Sequence, residues 1–378
     1  MAARIKEFLK KDAMLVVSVL AALVSLLITP PSAALLQSID WKTLATLFML
    51  LSVLDGFKEE DLFRPVIRLA GRLHGVLPLS LFLVFAVFFS SMFVTNDVSL
   101  IIFVPLTLIL FRSGDKERYI LPMLALENIA AVRGSLLTPF GSPQNLFLFS
   151  KSGLTVWEFL GMMLPIWLIS LVLLVLFVVG LYRKNLREGI RLSGSSDRSS
   201  WDPARKGKRV LYLVLFCIIV LCIVTRTDKW PWVTLGVTLA LLIFDRKVFL
   251  RVDYVLLLTF LCFFIFSSSI AANAGIAEFL HEHVANQEYW WSLLLSQVIS
   301  NVPASIVLWP FTVQLKALIY GLDTAGLISV IGSLASVINM RIYLREYPGK
   351  AGAFMITFEK VSLLFFIIIV IPQWLMCR

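Results

Sequence analysis

The chain has little charge and few of the side chains that carry polar chemistry. Asp, Glu, Lys and Arg together make up 15% of its 378 residues, and there are three histidines. A soluble domain of this length needs a surface richer in charge, so a soluble globular protein is excluded. Four cysteines, Cys217, Cys222, Cys262 and Cys377, have no CxxC spacing and three lie in apolar runs. They read as small core hydrophobes rather than as a disulfide framework or a metal set. His281 and His283, in HEH, are too sparse for a metal site and read as part of a solvated amphipathic stretch. The sequence has no HExxH, no GxSxG and no GxxxxGK[ST]. A zinc hydrolase, a serine hydrolase and an ATP-driven pump go with them, and no cofactor is called for.

What is present is apolar. Hydrophobic residues make up 59% and the mean hydropathy is +0.89. The runs are helix-length rather than ten-residue alternating segments, which predicts an all-α polytopic membrane protein instead of a barrel. The net charge is +10. Its placement argues for topology and membrane lipid, not for a nucleic-acid partner. Most basic residues gather in the N-terminal tail and in 58–75, 112–118, 183–209, 245–251 and 341–350. All six groups are expected on the cytoplasmic side, with the N-terminus. The opening stretch is basic, then apolar, without a small-residue cleavage site, and reads as a retained first helix.

Uninterrupted helices are expected near 13–30, 43–57, 156–182, 210–225, 231–244, 254–273 and 351–373. Between them lie apolar segments that are broken: 77–111 around Thr95-Asn96-Asp97, 288–315 around Ser300-Asn301-Val302-Pro303, 119–149 around GSLLTPFGSPQN, and 324–345 around GLISVIGSLAS. Asn96 stands nine positions before Pro105, and Asn301 nine before Pro310. Segments 40–71 and 253–286 each open with Asp and an aromatic residue, run through an apolar helix and end amphipathic. An Asn-tipped hairpin and then a helix interrupted at Gly-Ser follow in both cases. An order of four elements that recurs reads as an internal repeat. Threading the basic groups onto one side makes the first hairpin enter from the cytoplasm and the second from outside. The expected architecture is therefore an inverted repeat: a first half, 1–182, a basic linker, 183–209, and a second half, 210–378. Each half holds a re-entrant helical hairpin and an unwound transmembrane helix, as secondary transporters do.

An aspartate at mid-membrane costs roughly 2.5 to 3.5 kcal/mol on insertion scales, so Asp97 needs compensation. Either the tip lies at depth and holds a cation, or Asn96-Asp97 forms an exposed turn between two ordinary crossings. The stretch NIAAVRGSLLTPFGSPQN supplies Asn128, Arg133, Ser142, Gln144 and Asn145 around glycines and prolines that release backbone groups. Arg133 either attracts an anionic substrate or pairs with Glu127 or Asp97. Glu127, like Asp97, is a candidate proton carrier.

The motifs FVTNDVSLIIFVPLTL, GSLLTPFGSPQNL and SNVPASIVLWP resemble the ion transporter superfamily of ArsB arsenite permeases, NhaD-type sodium/proton antiporters, citrate carriers and divalent-anion/sodium symporters. The resemblance runs from about residue 40 to 373. It implies a homodimer with a scaffold part and a transport part that moves as an elevator. Carried over, the tips are Thr95, Asn96, Asp97, Ser300 and Asn301. The unwound positions are Gly141, Ser142, Pro143, Gln144 and Asn145, with Gly332 and Ser333 opposite. The symporters' tips read Ser-Asn-Thr, whereas here they read Thr-Asn-Asp and Ser-Asn-Val, closer to the arsenite-permease and antiporter branch at the first tip. The expected function is inner-membrane secondary transport of a small anion, a carboxylate or an oxyanion such as arsenite, coupled to Na⁺ or H⁺. Substrate would meet Thr95, Asn96, Arg133, Ser142, Gln144, Asn145, Ser300, Asn301 and Ser333. Coupling would fall to Asn96, Asp97, Glu127, Gly141, Asn301 and Gly332, with Na⁺ at Asn96, Asp97 and Asn301. The alternative is a Na⁺/H⁺ antiporter without an organic anion.

Overall fold

The structure is a computed structural model in which residues 13–30, 33–183, 186–190 and 205–377 are described. The basic N-terminal tail and most of the 183–209 linker, both expected on the cytoplasmic side, lie outside the described residues.

All regular elements among the described residues are helical. Helix α1 (Ala13–Ile28) and the short α2 (Ala33–Ser38) lead to α3 (Trp41–Glu59). Asp40 caps α3 by accepting the Thr43 amide at 3.0 Å, which satisfies one of the donors that a helix start leaves open. Helix α4 (Arg64–Ala70) turns the chain into the pair α5 (Val76–Val94) and α6 (Asn96–Ser113). Helix α7 (Ile120–Gly134) stops, and the path resumes as α8 (Pro143–Ser152) before the 27-residue α9 (Val156–Tyr182).

The same order of elements follows. After α10 (Lys206–Thr225) and α11 (Trp230–Asp245), α12 (Tyr254–Ala272) is capped by Asp253, which accepts the Leu256 amide at 2.9 Å. The amphipathic α13 (Ala274–Val284) precedes the pair α14 (Glu288–Ile299) and α15 (Asn301–Leu308). Helix α16 (Leu315–Ala325) stops and α17 (Leu334–Glu346) resumes, followed by a second 27-residue helix, α18 (Ala351–Cys377). Among the described residues, seven helical stretches are long and apolar enough to cross a membrane. The protein is a polytopic helical membrane protein, and large aliphatic side chains of α1, α9, α10, α11 and α18 form its exposed outer surface.

The helices pack as two groups. In one, α12 lies along α1, and α3 packs on α10, α11 and α12. Ser269 donates to the Ser25 carbonyl at 2.8 Å, and Tyr212 to Asp245 at 2.9 Å, tying α12 to α1 and α10 to α11. The other group holds the paired and interrupted helices, with α5, α6 and α9 on α7, and α14 and α15 on α16. Contacts of α6 with α17 and of α15 with α8 interleave its two sets of elements, and α3 and α12 touch it through α6, α8 and α15.

Some boundaries depart from the sequence expectation. The second interrupted helix, expected over 324–345, begins at Leu315, and the return arm expected to reach 315 ends at Leu308 with one 3-10 turn to Phe311. The added turns carry Lys316 and Asp323, charges that a lipid-facing segment would not bear. Asp323 is instead hydrogen-bonded inside the protein, so a helix can carry it. Pro143, Gln144 and Asn145, expected to be unwound, form the first turn of α8. Ser142 caps that turn, and proline at the first helical position has no N–H to leave unsatisfied.

Residues 186–190 cross the base of the α5/α6 pair. The Val76 amide donates to the Glu188 carbonyl at 2.9 Å, and the Ile190 amide to the His74 carbonyl at 2.8 Å. The Glu188 carboxylate accepts from Lys116 at 2.7 Å, Tyr119 at 2.6 Å and Arg118 at 2.8 Å. Chiefly through Lys116, then Tyr119 and Arg118, these donors hold the Glu188 carboxyl down at about 2. A carboxyl whose folded pKa is depressed stabilises the fold above its unfolded value, about 4.3, and that stabilisation is lost as pH falls towards 2. Glu188→Gln should therefore lower the stability of the purified protein by about 1–2 kcal/mol at pH 7. The gap in melting temperature should narrow between pH 5 and pH 3; a gap of equal size at pH 7 and pH 3 would refute this account.

Candidate functional site at the helix tips

Each helix pair turns on one residue in a conformation that L-residues avoid. Thr95 has φ 70° and ψ 155°, and Ser300 has φ 67° and ψ 159°. That region is almost reserved for glycine and costs on the order of 1–3 kcal/mol, the more so for β-branched Thr95. The surroundings hold both tips in place. The Asn96 amide donates to the Gly141 carbonyl at 3.3 Å, and the Asn301 amide to the Gly332 carbonyl at 3.2 Å. Each tip is thus docked on the break in the interrupted helix that follows it. The breaks leave no room for side chains: a Cβ on Gly141 would stand 2.1 Å from the Ser135 oxygen, and one on Gly332 would stand 2.2 Å from the Ala325 oxygen.

Polar bonds join the two docked units. Gln144 Nε2 and Asn145 Nδ2 donate to the two carboxylate oxygens of Asp323 at 3.0 and 3.1 Å. Asn128 donates to Ser336 at 3.0 Å, and Asn339 to the Leu124 carbonyl at 2.7 Å. The starts of α6, α8, α15 and α17 lie at these tips and breaks, where unpaired amides and helix dipoles favour negative charge.

A cavity of about 190 Å³ opens beside the first tip. Thr95, Asp97 and Ser142 line it on one side, and Asp55, Lys58, Arg251 and Asp253 on the other. Arg251 pairs with Asp55 at 2.5 Å. Asp97 Oδ1 is buried without a hydrogen-bond partner, and Asp253 is the charge that acts on it. A carboxylate left open in this way suits a cation or a proton, while the helix starts around it suit an anion.

The remaining candidates are placed as follows. Asn96 and Gly141 make the docking bond of the first tip, and Ser300, Asn301, Gly332 and Ser333 are buried at the second. Arg133 is buried and donates from Nε to Ser170 at 2.9 Å and from Nη1 to Thr324 at 3.0 Å, rather than to Glu127 or Asp97. Glu127 accepts a hydrogen bond from Thr107, and its second oxygen is buried without a partner. Among the described residues, no group of three or more His, Cys, Asp or Glu could hold a metal ion.

A family model described as citrate transporter (CitMHS) matches residues 6–332. The chain belongs to the citrate transporter family. It is 30% identical over 313 residues to the inner membrane protein YbiR of Escherichia coli (strain K12), which covers 81% of this chain and 80% of that one. It is 26% identical over 338 residues to the uncharacterized transporter MJ0456 of Methanocaldococcus jannaschii, covering 88% and 89%. The protein is a membrane transporter, and neither the family nor these relatives indicate an enzyme.

In this citrate transporter family member, Asp323 is the site residue that the sequence reading passed over. The signal was the one that picked out Asp97: an acid in an apolar run, here LIYGLDTAGL. Asp323→Ala would leave the buried amides of Gln144 and Asn145 without acceptors and the Arg133 charge without its counterpart. A loss of about 2–4 kcal/mol is expected, read as a lower melting temperature of the purified protein. An unchanged melting temperature would mean that these bonds do not hold the two units together.

Proposed function

We propose that the protein is an ion-coupled secondary transporter of a small anion, a carboxylate such as citrate or an oxyanion, working by alternating access with the first-tip cavity as its site. The observation that carries this reading is the docking bond made twice, a strained non-glycine tip held on an interrupted helix by its next amide. Strain of this kind collects at ligand sites, and interrupted helices meeting at depth are how secondary transporters form them. Asp97 takes the coupling cation, Na⁺ or H⁺, with the Thr95 hydroxyl beside it. Ser142, Asn96 and the surrounding helix starts face the anion. Arg133 bonds Ser170 and Thr324 through Nε and Nη1, a bracing part, while its Nη2 is buried without an acceptor.

An inverted repeat of 1–182 and 210–378, joined by the cytoplasmic linker 183–209, accounts for the arrangement. The base of the first pair lies among Lys116, Arg118 and the linker residue Glu188. The second pair closes instead around Glu288, which accepts the Val313 and Gln314 amides at 2.8 and 2.9 Å. At 12 and 8 residues, α14 and α15 reach only about 18 and 12 Å, short of a hydrocarbon core of about 30 Å, which supports a re-entrant reading of this pair. The group of α1, α3, α10, α11 and α12 serves as the scaffold of a homodimer, and the tips ride past it as an elevator. The basic groups put the N-terminus in the cytoplasm, and the name of the Escherichia coli relative points to an inner membrane.

A second reading, a Na⁺/H⁺ antiporter, is favoured by one observation: the open carboxylate of Asp97 facing Asp253. Proteoliposomes separate the two. Uptake of labelled citrate, and of arsenite in parallel, should rise when an inward Na⁺ or H⁺ gradient is imposed, and Asp97→Asn should remove at least about 90% of that dependence, as loss of a coupling group does. The variant should keep its melting temperature. Sodium/proton exchange without movement of either anion would put the antiporter first; full gradient dependence in Asp97→Asn would remove Asp97 from coupling.

A further inference from the structure

We infer a second anion-binding subsite in a separate cavity at the Lys42 end of α3, where Lys42 and Arg226 collect a small carboxylate or oxyanion on its way to or from the tip. The inference rests on the anion-transporter reading for the occupant's identity, but its geometry is independent of the tips.

The cavity measures about 170 Å³, and its polar lining is Lys42, Thr43 and Thr46 of α3, Ser150 of α8, and Arg226, which follows α10. No acidic residue lines it. It is smaller than the roughly 300–1,000 Å³ of sites that take drug-sized molecules, so the occupant is a small ion. Arg226 is fixed by its neighbours. Its Nη2 donates to the Phe149 carbonyl and to Ser152 Oγ at 3.4 Å, and its guanidinium carbon lies 4.1 Å from the centre of the Phe149 ring. Its Nε is buried with no acceptor, a donor that a bound anion would satisfy. Lys42 gives one N–H to the Arg226 carbonyl at 2.9 Å, and an ammonium has two more.

Acids nearby are already engaged. Asp40 accepts from the Thr43 amide and hydroxyl at 3.0 and 2.9 Å and from Ser150 at 3.2 Å, and pairs with Lys151 at 3.3 Å. Glu158, whose charge acts on Arg226, is held by Thr155 in the capping box that opens α9. Lys151 answers Asp40, whereas neutral Thr155 leaves Glu158 its charge, so Lys42 and Arg226 exceed the acids around them by one positive charge, in a place where charge is poorly solvated. That is a setting for an anion.

The cavity's position gives it a use. Residues 42–46 of α3 line it, and residues 47–58 of the same helix line the tip cavity. The sixteen-residue span from Lys42 to Lys58 is about 24 Å long, most of a hydrocarbon core of about 30 Å. Leu146, in the second turn of α8, lines both cavities. An anion held at Lys42 and Arg226 is thus one side chain away from the tip cavity, at the end of α3 remote from the basic groups.

Cys222 also lines this cavity, is otherwise buried, and reports on it without any transport. Cys217, Cys262 and Cys377 would be replaced by alanine, and the remaining thiol reacted with methanethiosulfonates carrying a sulfonate or a trimethylammonium group. Each rate is divided by that of free mercaptoethanol. The anionic reagent should be favoured by at least about fivefold, as two nearby cations in a confined site require. The preference should fall towards one in Lys42→Gln, a variant that leaves the bonds of Arg226 to Phe149 and Ser152 in place. Citrate or sulfate should slow the anionic reagent, and the one that does so names the carboxylate or the oxyanion class. Equal normalised rates, a preference unchanged in Lys42→Gln, or no slowing by either anion would overturn the inference. A protein that meets these expectations yet carries no anion in proteoliposomes would keep the subsite and lose the proposed function; an anion carrier that fails them would do the reverse.

Discussion

A backbone that leaves the helix inside a membrane must find its hydrogen bonds within the protein, and the centre of this transporter is organised by that demand. The first break places its freed groups against neighbours: Thr138 donates to the Met92 carbonyl at 2.5 Å, Trp167 to the Gly134 carbonyl at 3.2 Å, and Gly141 accepts from the first tip. The second break does the same with different residues. Gln297 donates to the Ala325 carbonyl at 3.2 Å, and Gly332 accepts from the second tip. A tip and its break each supply what the other lacks. Neither could persist alone in lipid, which is why the hairpin and the interrupted helix occur together and occur twice.

The buried charges divide by how completely they are answered. Asp323 has an amide donor on each oxygen and feels the charge of Arg133, which itself bonds Ser170 and Thr324. Thr324 in turn donates to Gln373 at 2.8 Å, so the network reaches α18. Removing any member exposes the rest to an uncompensated desolvation cost, the behaviour of a brace rather than of a site that exchanges ligands. Asp97 is the opposite case. One of its oxygens is buried without a donor, and the charge it feels has its own sign. A group left in that condition next to a cavity is where an ion makes the largest difference.

Much of this was legible in the sequence, for identifiable reasons. An aspartate in an apolar run announces itself, and the equal spacing of Asn96 and Asn301 from their prolines made the first tip's partner visible. Asp40 and Asp253 were visible as the openings of two like segments, and the structure makes each a cap that accepts from an amide three residues on. Gln144 and Asn145 were visible as polar residues at a break, but their acceptor lies 179 and 178 residues away, and no periodicity encodes that. Without the partner, Asp323 was passed over, and the start of α16, expected near 324, was misplaced with it. Lys42 and Arg226 were passed over for the same reason. Each sits at a helix end, where a basic residue is ordinary, and only the packing of α3, α8 and α10 makes them face one cavity.

Helix α3 is where these strands meet. It belongs by packing to the group of α10, α11 and α12, yet it also touches α6 and α8, which carry the first tip and its break. Both cavities lie on this seam, and the seam is where a polar path can exist at all. Within either group the helices are tied to one another by side-chain bonds, such as Ser269 to Ser25 in one and Gln144 to Asp323 in the other. Between the groups α3 makes both kinds of contact: at one end Thr43 bonds Ser150 at 2.9 Å and the capping Asp40 pairs with Lys151 at 3.3 Å, while Leu47, Leu50, Leu51 and Leu54 line the tip cavity together with Leu146 and Val98. Dispersion contacts of that kind have no fixed register, whereas hydrogen bonds do. The seam is therefore pinned by polar bonds at the Lys42 end of α3 and left without a fixed register around the first tip, where the unanswered carboxylate of Asp97 lines the cavity. The polar brace and the apolar stretch of the seam are thus parts of one arrangement: the first keeps the tips and breaks together, and the second sets the open carboxylate of Asp97 against α3.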